Sequence, residues 1–223
     1  MTEPFSTLQD QSVGEIAAQL PGASGVFRRY DIDFCCHGEV KLAEAASKRN
    51  LDLGELNAAL NALDPGATPD APQETEALIE HIQLRYHNVH RVQIPELIQL
   101  SAKVETVHAA HPKAPKGLAD ALRAIWGDLE VHMKKEELIL FPAMRRQAAG
   151  RLTTPIEEMR HDHDAQGVFL EKMARLTNDY TPPEDACKSW RALCTGAAQL
   201  RKDLMEHVHL ENNVLFPRFE EGA

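Results

Sequence analysis

The stretch Asp128-Leu129-Glu130-Val131-His132-Met133-Lys134-Lys135-Glu136-Glu137-Leu138-Ile139-Leu140-Phe141-Pro142 returns 75 residues later. The second copy reads Asp203-Leu204-Met205-Glu206-His207-Val208-His209-Leu210-Glu211-Asn212-Asn213-Val214-Leu215-Phe216-Pro217. Seven positions are identical: the Asp-Leu pair, the His, the Glu and the closing Leu-Phe-Pro. Positions i and i+4 share one face of an α-helix. Each copy therefore lines up an Asp, a His and a Glu on one stripe. Two helices that each offer a His and a Glu are what a bundle needs to hold a pair of metal ions.

A single His-x-x-x-Glu pair usually marks a solvated face. Duplication in the same Phe-Pro context makes the metal reading the stronger one for His132, Glu136, His207 and Glu211. The repeat also selects partners upstream. His87 lies 45 residues before His132, and His163 lies 44 before His207. The neighbouring His81, His90 and His161 have no such counterpart, and His90 and His161 are expected at the surface or behind the ligands. The expected set is four imidazoles and two carboxylates: His87, His132, Glu136, His163, His207 and Glu211.

Two carboxylates can each bridge two metals, leaving two imidazoles per metal and room for a bridging oxygen species. Nitrogen and oxygen donors suit a pair of transition ions, iron first and manganese second. Structural zinc favours a closed set of four ligands, often cysteine, and calcium and magnesium favour oxygen. An open coordination position implies reactivity or ligand binding. Asp128 and Asp203, one turn before each His, either orient an imidazole or act as acids near the metals, or are exposed helix charges.

Composition narrows the class. The chain has 223 residues, 43% hydrophobic and 26% charged, with a net charge of -10. That balance argues against a phosphate backbone as the main partner, because such affinity comes largely from Lys and Arg. No apolar run approaches the roughly 18 to 20 residues that span a bilayer. The start MTEPFSTLQD lacks the basic and apolar segments of a secretory signal, so a cytoplasmic protein is expected.

Four cysteines form no CxxC. Cys187 and Cys194 share a predicted helix face and are expected as buried small hydrophobes. The adjacent Cys35 and Cys36 have two readings: a tight turn with one buried thiol, or thiol chemistry and transient binding of iron or nitrosyl species.

The organisation read from the pattern is all-α. Residues 1–63 form a small N-terminal domain with helices near 13–20, 22–30, 39–49 and 52–63. DPGATPDAP, residues 64–72, is a linker by composition. Residues 73–223 read as an up-down four-helix bundle: 73–109 with a kink at Pro95, 115–148 disturbed at Phe141-Pro142, 155–178 and 183–218. Gly150 and Thr153-Thr154-Pro155 mark the middle boundary, and Pro183 suits a first helical position.

These residues carry a resemblance. The bundle is similar to hemerythrin-like domains. Val13-Gly14-Glu15-Ile16 and Tyr30-Asp31-Ile32-Asp33-Phe34-Cys35-Cys36-His37-Gly38 resemble the small N-terminal domain of the Repair of Iron Centers family. Arg85-Tyr86-His87, His132-Met133-Lys134-Lys135-Glu136-Glu137 and Leu210-Glu211-Asn212-Asn213-Val214-Leu215-Phe216-Pro217 strengthen the match; His37, where the family often has Gly, departs from it.

The resemblance implies a non-haem di-iron protein that restores iron-sulfur clusters damaged by nitric oxide or oxidative stress. It would donate iron, or bind or reduce nitric oxide, and be a repair protein rather than a conventional metabolic enzyme. It carries the metal-ligand roles onto the same six residues and favours a thiol role for Cys35 and Cys36. The implied partners are damaged iron-sulfur proteins, with nitric oxide or oxygen as small ligands; a homodimer is compatible with the sequence. The competing readings are an oxygen or nitric oxide carrier or sensor, and an oxidative enzyme with an apolar substrate pocket beside the metals.

Overall fold

The computed structural model describes residues 8–146 and 152–220. The predicted boundary residue Gly150, the end of the helix predicted over 115–148 and most of the MTEPFSTLQD start lie outside the described residues. Among the described residues the chain is helical, without strands, apart from an isolated bridge between Ser12 and Lys41. No helix described is long and apolar enough to cross a membrane.

In chain order the α-helices are α1 (Val13–Gln19), α2 (Ala23–Arg29), α3 (Leu42–Lys48), α4 (Leu53–Asn61), α5 (Thr75–Ile82) and α6 (Asn88–Val107). They continue with α7 (Leu118–Lys135), α8 (Phe141–Arg145), α9 (Thr153–Leu176) and α10 (Lys188–His209). Packing divides them into two compact units, Ile82–Leu204 and Met1–His81 with Met205–Ala223.

The unit Ile82–Leu204 contains the four long helices, α10 as far as Leu204. In it α7 packs against both α6 and α9. Leu118, Leu122, Ile125, Leu129 and Met133 of α7 are buried at helical spacing. Each such side chain contributes about 1.5–3 kcal/mol on full burial. His132 and Glu136 continue that stripe, so the ligand positions fall on the core face. Gly196 lets α10 approach α6, since a Cβ there would lie 2.7 Å from Leu97 Cδ2. Glu105 caps α7 from the end of α6: its carboxylate accepts from Gly117 N at 2.9 Å and Ala119 N at 2.7 Å. A negative group suits this end because the first helical N–H groups lack internal partners.

Helix α6 continues as α-helix through Pro95, where a kink was expected. One sequence boundary shifts. Helix α10 starts at Lys188, not at Pro183. Asn178, Asp179 and Tyr180 take three successive left-handed conformations (φ 51°, 49° and 60°), and Ala186 N turns back to Pro183 O at 3.0 Å. A left-handed run costs energy at each residue without Gly, so the chain needs this longer turn before a helix can restart.

The other unit gathers α1–α5 around the end of α10 and the turns after it. Ser12 and Glu15 make a reciprocal capping box at α1, and Asp52 caps α4 through Gly54 N and Glu55 N. Helix α1 lies against Leu210–Leu215. Phe34 packs on Phe27 at 5.9 Å and edge-on to His209 at 5.3 Å. Glu206 accepts from Ser24 Oγ at 2.8 Å and pairs with Arg28.

Among the described residues, three wide π-helical turns with no hydropathy signal interrupt the helices: Gln83–His87, Glu136–Leu140 and Leu210–Leu215. Each holds a candidate ligand: His87, Glu136 or Glu211. The last two preserve the repeat as structure, because π turns inside α-helices are rare and concentrate at functional sites.

Residues 64–70 are exposed, while the elements before them grip residues 205–219 within one unit. Limited proteolysis is expected to cut within 64–72, with both fragments still eluting together under native conditions. Separate elution of the nicked fragments would contradict this packing.

Candidate metal centre

In the unit Ile82–Leu204, His87, His132, Glu136 and His163 come together, each at most 2% exposed. Glu136 Oε2 lies 3.4 Å from His87 Nε2 and 3.5 Å from His132 Nε2. His132 Nε2 and His163 Nε2 are 3.2 Å apart, with rings tilted at 58°. Ligand atoms of His132, Glu136 and His163 lie within 4.8 Å of one another. His87 stacks on Phe141 at 5.8 Å, so the Phe of the repeat supports a ligand ring.

Two carboxylates fix these rings from outside. Glu137 Oε1 accepts from His87 Nδ1 at 2.8 Å, and Asp162 Oδ2 accepts from His132 Nδ1 at 3.2 Å. Burial pushes Glu137 up, but hydrogen bonds from Arg91 and His87 outweigh it and hold the carboxyl below its usual range. The hydrogen bond from His132 pulls Asp162 down to about 2 against partial burial, helped by Lys135. Arg91 clamps Glu137 with two bonds of 2.8 and 3.0 Å and reaches Glu130 at 3.0 Å. Both carboxylates are therefore acceptors at neutral pH. An imidazole that donates from Nδ1 presents a lone pair at Nε2.

The consequence is a set of inward lone pairs around a buried carboxylate. Neither oxygen of Glu136 has a hydrogen-bond partner. Such a group is costly in an apolar core. A cation held among these nitrogens would offset the cost of burying the carboxylate. Imidazole and carboxylate donors fit iron or another first-row transition ion. Among the described residues, the candidate metal groups containing these ligands include no cysteine.

In the other unit, His207 Nε2 lies 2.9 Å from Glu211 Oε1, and both residues are fully buried. A second candidate group, Asp33, Cys35 and Cys36, also lies there. Asp33 Oδ1 accepts from Cys35 N at 3.1 Å and Cys36 N at 3.0 Å, and the two sulfurs are 3.7 Å apart. The hydrogen bond with Cys36, with burial added, pushes the Cys35 thiol well above its usual range.

The remaining expectations fall unevenly. Asp203 is buried and holds Arg85 Nη2 at 2.6 Å and Gln199 Nε2 at 2.9 Å, whereas Asp128 is exposed. The carboxylate that orients His132 is Asp162. His90 is fully buried against Tyr86, and His161 is exposed. Cys194 is buried as expected, but Cys187 is exposed, its sulfur 3.2 Å from His108 Nε2, because α10 begins only after it.

Family comparison matches residues 9–64 to ScdA_N, a domain of unknown function. Residues 78–219 match the hemerythrin HHE cation binding domain. The iron-sulfur cluster repair protein YtfE of Yersinia pseudotuberculosis serotype IB is 47% identical over 217 residues, covering 96% of this chain and 98% of that protein. The proteins of the same name from Yersinia pestis and Dickeya chrysanthemi are 46% identical over the same shares.

Removing an orienting carboxylate should weaken metal binding without removing a ligand. Glu137→Gln and Asp162→Asn are each expected to lower iron affinity about 10- to 100-fold in a competitive chelator titration. Wild-type affinity in both variants would show that the outer carboxylates do not set the ligand geometry.

Proposed function

The chain belongs to the family of the YtfE-type iron-sulfur cluster repair proteins, and from that premise we propose that it is a di-iron protein restoring clusters damaged by nitric oxide or oxidative stress. By the sequence repeat, His87, His132, His163 and His207 would supply imidazoles, and Glu136 and Glu211 would supply carboxylates. The observation that carries this reading is the fully buried Glu136 carboxylate, with no hydrogen-bond partner and imidazole Nε2 atoms at 3.4 and 3.5 Å. The duplicated motif supports the same role for His207 and Glu211, which are equally buried.

Bound there, two irons would supply redox chemistry toward nitric oxide or oxygen, or be the cargo passed to a damaged cluster. The protein's own residues act around that chemistry. Glu137 and Asp162 keep the Nδ1 protons on His87 and His132, so that Nε2 remains a donor to metal. Phe141 and the α7 core exclude bulk water from the ligands. Damaged iron-sulfur proteins of the cytoplasm are the proposed clients. Cys35 and Cys36 act in docking or transfer rather than in holding the irons.

Protein made in iron-rich medium is expected to carry about two irons per chain, since one ion would not need two bridging carboxylates. One tightly bound zinc and no iron would overturn the reading. The double variant Cys35→Ser/Cys36→Ser is expected to keep its iron and lose repair of a nitric-oxide-damaged cluster enzyme. Full repair would return both thiols to a structural role.

A further inference from the structure

The two copies of the repeat diverge just after the shared Glu. In the first copy Glu137 follows Glu136 and accepts from His87 Nδ1. In the second, Asn212 follows Glu211, and its amide donates instead. Asn212 Nδ2 bonds the Cys35 carbonyl at 3.0 Å, and Asn213 Nδ2 bonds the Phe34 carbonyl at 3.0 Å. Two successive carboxamides thus hold two successive carbonyls of the double-cysteine loop. All four residues belong to one unit.

The fit is close on every side. A Cβ on Gly14 or Gly38 would lie 2.4 or 2.5 Å from Asn213 Oδ1. Those glycines are joined by Gly14 N to Gly38 O at 2.8 Å. Asn213 Nδ2 also lies 3.0 Å from His209 Nδ1. Asn212 is 4% exposed and Cys35 is 3% exposed. A buried amide–carbonyl bond between segments so far apart in sequence restrains the loop, because its loss leaves polar groups uncompensated. Asn212 sits in the π turn with Glu211, so a shift of that carboxylate on binding a cation would pass to the neighbouring carboxamide.

We propose that Asn212 and Asn213 are positioning residues that keep the Cys35 thiol sequestered and tie the double-cysteine loop to Glu211, so that metal binding changes the reactivity of these thiols. The link to metal rests on the di-iron reading above; the restraint of the loop does not.

Site-resolved alkylation by iodoacetamide, followed by mass spectrometry, tests both parts on the full chain, metal-free and loaded with ferrous iron. In the metal-free protein Asn212→Ala should raise alkylation of Cys35 about tenfold, the effect of losing one buried hydrogen bond on a local opening. Exposed Cys187 and buried Cys194 lie in the other unit and serve as internal standards; their rates should not change. Gly38→Ala, which crowds Asn213 without altering α10, should free Cys35 in the same way and decides the case if Asn212→Ala also exposes Cys194. Iron should change the Cys35 and Cys36 rates severalfold in the wild type and leave them unchanged in Asn212→Ala. Wild-type Cys35 protection in both variants would overturn the clamp. An equal iron effect with and without Asn212 would overturn the coupling. Absence of iron uptake by the wild type, read by metal analysis of the same samples, would reject the di-iron reading and the coupling that rests on it, while the metal-free comparison still decides the clamp.

Discussion

A carboxylate with no hydrogen-bond partner in an apolar core is the constraint from which the rest follows. Glu136 occupies the position where α7 would otherwise place another core residue, one turn after His132. Imidazoles of His87, His132 and His163 gather beside it in the same unit, two with Nε2 at 3.4 and 3.5 Å from its carboxylate. Their outer nitrogens are engaged where Glu137 and Asp162 stand, and Arg91 and Lys135 anchor those carboxylates in turn. The arrangement is unfavourable as polar packing and favourable as coordination.

The repeat places a His and a Glu on each of two helices, and its differences show where the two copies specialise. The Asp one turn before the His is exposed in the first copy and buried against Arg85 in the second. The residue after the Glu orients an imidazole in one copy and holds the N-terminal loop in the other. Leu138 is 74% exposed, while its counterpart Asn213 lies against Gly14 and Gly38. The second copy has exchanged a free surface for a docking surface within its own chain.

Much of this was legible before any coordinates. The helices, the bundle and the buried His and Glu positions follow from spacing alone, because core faces repeat every three to four residues. The outer carboxylates were not legible. Glu137 and Asp162 each adjoin a ligand in sequence, and in a regular helix a neighbour points about 100° away. For Glu137 the π turn beginning at Glu136 shifts that register, and hydropathy carries no signal for such a turn. Asp162 reaches His132 from a different helix, a relation no spacing along one helix reveals. Cys187 differs for a related reason: Pro183 suits a helix start, but three left-handed residues precede it and the helix begins only at Lys188.

Calorimetric melting of the metal-free wild type and Glu136→Gln, each repeated with ferrous iron, asks whether Glu136 is placed for a cation. A neutral amide in place of a buried carboxylate removes a desolvation cost and can donate to an imidazole lone pair. The metal-free variant should melt higher than the metal-free wild type, and the iron-dependent rise expected of the wild type should disappear. A metal-free variant that melts lower, with the iron-dependent rise intact, would mean that Glu136 is an ordinary packing residue and not a group placed there for a cation.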